Sequence, residues 1–271
     1  MGYLRVNDTK IYYEIDGNGK PLAFLNGIFM STQSFSTFLP LFSKNYQVLL
    51  HDFRGQKSSG KDGEKYSLEL HADDFYKLLK ALGINKIDIV GVSYGGEVAL
   101  RFVVSYPEMV NSLVIVSSVS EVDDELNEKI VRWVEGAKSK NSEIFVNSWL
   151  QDVYSPKFLE KYESFLRNKL KESLKNFDYD ASIKLMEAFL ELKKDPLTPL
   201  LNKIKVPTLV VAGELDTLKP IKFSKIIQDR IENSELVIVG GSGHAIPIEK
   251  KNELETIIFG FLEKNRIYER S

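Results

Sequence analysis

The sequence predicts an α/β fold: a mostly parallel, doubly wound sheet with an amino-terminal antiparallel hairpin and an inserted helical lid. Three observations predict it. Short apolar runs recur at 22–25, 48–50, 87–90, 113–116, 208–211 and 236–239, each bounded by turn residues or charges, as strands buried on both faces of a parallel sheet require. Stretches with helical spacing lie between these runs, and that alternation marks a doubly wound sheet. The alternation stops after Ser118 and resumes near Lys205, and the interval between is helical in pattern.

From the amino terminus, residues 10–16 alternate Ile11, Tyr13 and Ile15 with Tyr12 and Glu14, and Asp16-Gly17-Asn18-Gly19 follows. A period of two beside a glycine-rich turn reads as a hairpin strand with one wet face. Phe35, Phe38, Leu39 and Phe42 then recur at helical spacing, and further helical stretches cover 68–82, 98–106, 221–231 and 254–262. The chain divides into a core of residues 1–118 and 201–271 and a lid of residues 119–200. Ser120, with Asp123 three residues later, is a capping signal for the first lid helix, and Asp195-Pro196 with Pro199 marks the exit. Both tryptophans, Trp133 and Trp149, fall in the lid with Phe145, Phe158, Phe165, Phe177, Met186 and Phe189. Such residues are expected to pack the lid helices together rather than to touch a substrate.

Composition narrows the classes. With 271 residues, 43% hydrophobic and 27% charged, the chain is long enough and apolar enough for a sizeable core. A net charge of −2, with Lys and Arg scattered, lacks the basic stripe that nucleic acid or an acidic membrane requires. A small neutral or apolar molecule is the expected partner. Cysteine is absent, which excludes disulfides and thiolate metal sites. Residues 1–10 carry Arg5, Asp8 and Lys10 where a signal peptide needs an unbroken apolar stretch, and no run reaches membrane-spanning length. A soluble, cytoplasmic protein is expected.

Gly91-Val92-Ser93-Tyr94-Gly95, with Gly96 after it, follows the run at 87–90 and opens a helical stretch. The G-x-S-x-G pattern alone also occurs in ordinary loops. Between a strand and a helix, its small residues allow a sharp turn that lifts the serine hydroxyl above the sheet, so Ser93 is the candidate nucleophile. A hydroxyl needs a neighbouring base, and there are three histidines. His51 ends a strand and His71 sits in a helical stretch beside Asp73 and Asp74, positions that read as structural or solvated. His244 instead follows the run at 236–239 through Gly240-Gly241-Ser242-Gly243, at the sheet edge where open α/β sheets bind ligands. The imidazole needs an acid on its other nitrogen. Asp216 leaves the run at 208–211 at that same edge; Glu214 is its nearest rival, and Asp123 and Asp124 are weaker ones because they start the lid. The chain order Ser, Asp, His favours Asp216.

A tetrahedral oxyanion needs two backbone donors. One is expected from Tyr94, just after the nucleophile. The other is expected from Ile28 in Asn26-Gly27-Ile28-Phe29-Met30, where Gly27 lets the backbone turn toward the substrate and Asn26, Gly27 and Phe29 are the candidate substrate-binding residues. An ordinary strand-to-helix turn would also account for Asn-Gly.

These residues are similar to a known family. The chain resembles the α/β-hydrolase superfamily over nearly its whole length, in the lid-bearing form that includes esterases, enol-lactonases and related acyl hydrolases. Beside the elbow, Asp216 and His244, the likeness takes in Asp52-Phe53-Arg54-Gly55, similar to the structural D-x-R-G turn after the family's fourth strand. The resemblance implies an α/β-hydrolase fold and a serine esterase working through a Ser93 acyl-enzyme, without cofactor or metal. The aromatic lid implies an apolar acyl pocket. The sequence departs in two places: Asn26-Gly27 replaces the usual His-Gly, and Lys57 replaces the glycine expected after the D-x-R-G segment. An Asn-Gly turn also resembles that of acyltransferases making rhamnolipid precursors from hydroxyacyl thioesters, so transfer to a hydroxy acid is the alternative. Asn26 either donates its amide or holds the loop. A non-catalytic small-ligand binding protein is the alternative of another class. Dehalogenase and epoxide-hydrolase chemistry needs a carboxylate where Ser93 stands, a metallohydrolase needs clustered ligands such as H-E-x-x-H, and a nucleotide enzyme needs a glycine-rich phosphate loop.

Overall fold

A computed structural model describes the backbone of residues 1–268 and the side chains through residue 266. Eight strands form one sheet: β1 (Gly2–Val6), β2 (Thr9–Asp16), β3 (Lys20–Leu25), β4 (Tyr46–His51), β5 (Ile87–Val92), β6 (Val110–Val116), β7 (Thr208–Gly213) and β8 (Ser234–Val239), in the order β1-β2-β4-β3-β5-β6-β7-β8. The pairs β1–β2 and β2–β4 are antiparallel, and all others are parallel. Strand alternation sorts the core into two layers, because successive side chains point to opposite faces. Ala23, Leu25, Ile87, Ile89, Leu113 and Ile115 pack with α2 (Leu68–Ala81) and α3 (Tyr94–Ser105), while Leu22, Phe24, Val90, Val92, Val114 and Val116 pack with Phe35, Phe38 and Phe42. Phe42 ends the single turn α1 (Leu39–Phe42), and α10 (Lys251–Tyr268) covers that second layer through Leu254 and Ile258. The helix α8 (Ile221–Arg230) adds Phe223 and Ile227 to the first layer, and the one-turn α9 (Ile246–Glu249) follows β8.

The hairpin differs in its partner from the expectation. Residues 10–16 do form a strand, but β2 turns back on β1 through Asn7-Asp8, with Asn7 at φ 50°. Asp16-Gly17-Asn18-Gly19 closes no hairpin; it carries the chain past β4 so that β3 lies on the far side. Gly17 is required there by a φ of 78° and by crowding, since a Cβ would collide with the carbonyls of Ser43 and Tyr46.

Between β6 and β7 the chain inserts four helices, α4 (Asp124–Lys138), α5 (Ser142–Val153), α6 (Pro156–Ser173) and α7 (Tyr179–Leu190). Side chains of Asp123, Asn141, Ser155 and Asp178 cap them in turn, each satisfying amide donors that a helix start leaves open. Ser120 is not the cap of α4. Its hydroxyl pairs with Thr198 Oγ1 at 2.7 Å, and its carbonyl accepts from Leu197 N at 2.7 Å, so entry and exit of the insertion are stitched together. Among the described residues no helix is long and apolar enough to cross a membrane.

His51 and His71 are structural. His51 stacks on Phe75 and His71 on Phe53, both are fully buried, and burial pushes each imidazole down to about 3. In the unfolded chain they titrate near 6.5, so below that pH the unfolded state binds protons that the folded state refuses. The contribution of the two histidines is full above 6.5 and falls as the pH drops toward 3, each histidine costing roughly 3 kcal/mol by about pH 4.5. Urea unfolding at pH 7.5 and 4.5 checks this: His51→Phe is expected to lose about half of the histidine-dependent drop, and an unchanged drop would contradict the account.

Candidate active site

The turn from β5 into α3 is held by backbone geometry. Ser93 adopts φ 51° and ψ −119°, a conformation costly for a residue with a Cβ. Its surroundings compensate: Ser93 N donates to Val116 O at 2.8 Å and Gly96 N donates to Ser93 O at 2.7 Å. Gly95 passes so close to β3 that a Cβ would strike the Leu25 carbonyl. A larger residue there would push the elbow off the sheet.

The structure brings the three distant candidates together. Ser93 Oγ donates to His244 Nε2 at 2.9 Å, and His244 Nδ1 donates to Asp216 Oδ2 at 2.8 Å, in the tautomer these partners select. Asp216 Oδ1 accepts from Leu218 N at 3.0 Å and Lys219 N at 2.8 Å, which fixes the carboxylate by its own loop. The loops after β7 and β8 touch at Gly213, where a Cβ would meet the Gly243 carbonyl. Ser117 Oγ donates to His244 O at 3.0 Å, and Glu249 Oε1 accepts from Gly243 N and from Ser155 N at the start of α6. The His244 loop is thereby braced against both the sheet and the insertion. The rivals lie elsewhere: Glu214 accepts from Gly241 N at 2.7 Å, and Asp123 caps α4 and pairs with Lys222.

The turn after β3 sits beside Ser93. Among the described residues the amides of Ile28 and Tyr94 meet no protein acceptor, and both residues line the space around Ser93. Asn26 does not reach that space. It is fully buried, and Nδ2 donates to His51 O at 2.8 Å, Gln56 Oε1 at 3.1 Å and Asp52 Oδ1 at 3.3 Å. Gln56 Nε2 in turn donates to Gly27 O at 2.8 Å. Asn26 thus holds the loop, and Gln56 is a bracing residue that sequence reasoning passed over. Arg54 in the same turn is 1% exposed and ties Asp74 on α2 to Asp8 in the hairpin turn, a structural role.

A cavity of about 320 Å³ opens on Ser93 and His244, lined by Phe29, Trp133, Trp149, Val153, Leu170 and Ile248 among others. Trp133 and Trp149 pack together as expected, their ring centres 6.5 Å apart, and also line this cavity. Phe29 joins them, its ring centre 5.8 Å from Trp133 and 5.7 Å from Trp149. Phe145 and Met186 are buried as expected, whereas Phe165 is exposed. Such a wall favours an apolar group over a charged one.

Two further side chains were missed. Lys219 Nζ donates to Ser93 Oγ at 3.2 Å and to the carboxylate of Glu97 on α3. The available signal was a charge in Gly95-Gly96-Glu97-Val98-Ala99, a stretch of small and apolar residues that leads into the core.

The model of the alpha/beta hydrolase fold family matches residues 20–251. A proline iminopeptidase of Saccharolobus solfataricus is 27% identical over 289 residues, with 97% of this chain and 92% of that protein covered. Among solved structures, MGS-M2, an alpha/beta hydrolase enzyme from a Medee basin deep-sea metagenome library, superposes with a TM-score of 0.91 at 30% identity, covering 97% of each chain. The enol-lactonase from Burkholderia xenovorans LB400 superposes with a TM-score of 0.88 at 20% identity, covering 97% of this chain and all of that one (100%).

Proposed function

This chain belongs to the alpha/beta hydrolase fold family, and from that premise we propose that it hydrolyses carboxylic esters of small molecules through an acyl-enzyme on Ser93. The observation that carries the reading is the unbroken hydrogen-bond line from Ser93 Oγ through His244 to Asp216, opening on an apolar cavity. In acylation His244 Nε2 takes the hydroxyl proton as Oγ adds to the carbonyl carbon, and then returns it to the departing alcohol. Asp216 keeps the imidazole in the accepting tautomer and stabilises its positive charge. The amides of Ile28 and Tyr94 receive the developing oxyanion. Water, activated by the same imidazole, then releases the acid. The insertion acts as a lid whose Trp133 and Trp149 give the acyl group its apolar contacts.

Graded p-nitrophenyl esters test the reading. Each methylene that enters the cavity contributes about 0.8 kcal/mol, or roughly fourfold in kcat/KM, so rates are expected to climb from acetyl upward and to fall once the acyl chain outgrows the space. Equal rates for wild type and Ser93→Ala on every ester would exclude it. Transfer to a hydroxy acid shares the first half-reaction, and a new ester formed on adding such an acceptor to an acyl thioester would reveal it. A ligand-binding protein without catalysis would form no fluorophosphonate adduct.

A further inference from the structure

Lys219 lies on the loop between β7 and α8, only 3% exposed. Its ammonium meets both oxygens of Glu97 at 3.0 and 3.1 Å, Ser93 Oγ at 3.2 Å, and the face of Phe189 with the ring centre 4.7 Å away. Glu97 is itself fully buried, and its Oε1 also accepts from Val119 N at 2.8 Å. Burial pushes the Glu97 carboxyl up against the pull of Lys219. Burying such a pair carries a desolvation cost, and apolar replacements of similar volume commonly keep or raise stability. What the pair does is bring a cationic donor to the nucleophile. With Ile28, Ser93, Tyr94, Phe189 and Leu218 among others, Lys219 lines a recess of about 20 Å³ at the nucleophile, room for about one water-sized group.

On the acyl-enzyme reading above, we propose that Lys219 is a further catalytic residue, whose ammonium hydrogen-bonds Ser93 Oγ as that oxygen leaves the acyl carbon in deacylation. Water adds to the acyl carbon while its proton passes to His244 Nε2. The tetrahedral intermediate then collapses: the bond from carbon to Oγ breaks, its electron pair goes to Oγ, and the imidazolium gives Oγ its proton. Charge that builds on Oγ before the proton arrives is met by a donor already in place, which needs no reorganisation. A donor to Oγ makes the resting hydroxyl a poorer nucleophile but a better leaving group, so the gain falls on deacylation.

The test compares wild type with E97Q/K219M, which removes the ammonium without stranding a buried carboxylate. Each is mixed with stoichiometric p-nitrophenyl acetate, and the acetyl adduct is followed by intact-mass spectrometry. The adduct is expected to form in both and to decay about tenfold or more slowly in E97Q/K219M. Equal decay rates overturn the proposal. E97Q/K219Q is the second variant, a smaller change that keeps a neutral polar side chain; its decay is also expected to be slowed, and a rate equal to that of wild type again contradicts the role. If wild type forms no adduct and releases p-nitrophenol no faster than Ser93→Ala, the acyl-enzyme reading falls and takes this proposal with it, whereas adducts with equal lifetimes remove Lys219 alone.

Discussion

Ser93→Ala is expected to lower kcat for p-nitrophenyl ester hydrolysis by about a millionfold, His244→Ala by about as much, and the double variant no further. A factor of that size is about 8 kcal/mol of transition-state stabilisation, far more than any single packing contact supplies. On the proposed mechanism, hydroxyl and imidazole act as one device across the 2.9 Å hydrogen bond between them. Without the base the hydroxyl stays protonated, and without the hydroxyl the base has nothing to activate except water. Steady-state kinetics on the three variants checks this, and losses that multiply would mean that the two groups work independently.

Asp216→Asn is expected to cost about 10⁴ in kcat with little change in folding. The asparagine Oδ1 still accepts from Leu218 N and Lys219 N, so the loop keeps its shape. Its amide, however, donates toward His244 Nδ1 where the carboxylate accepts at 2.8 Å. The imidazole then carries its proton on Nε2 and has no lone pair for Ser93. Rates measured beside thermal melting separate the two effects: a large fall in kcat with a melting temperature shifted by only a few degrees is the expected result. A variant that keeps wild-type activity would show that the tautomer is not controlled by Asp216.

The elements that were legible in the sequence are those whose signal is local. The elbow reads from Gly91 to Gly96 because a strand, a sharp turn and a helix each leave a pattern within a few residues, and Asp216 and His244 read from their places after late strands. Pairings over distance were not legible. Gly17 and Gly19 relieve a crowded crossing past β4, and nothing in a glycine distinguishes that duty from a hairpin turn. Asn26 has its role set by His51, Asp52 and Gln56, which reach it only through the parallel pairing of β3 with β4. Trp133 and Trp149 lie on amphipathic helices, and helical period tells that a face is buried without telling which part of it borders a cavity. Lys219 and Glu97 are 122 positions apart and meet only because α3 and the loop after β7 converge on Ser93.

The central claim is a nucleophilic Ser93 activated by His244, and mass spectrometry of the protein treated with a fluorophosphonate tests it most directly. One adduct per chain on the peptide containing Ser93, absent from Ser93→Ala and slowed severely in His244→Ala, is the predicted result. No adduct, or an adduct on another residue while esterase activity survives Ser93→Ala, would contradict it.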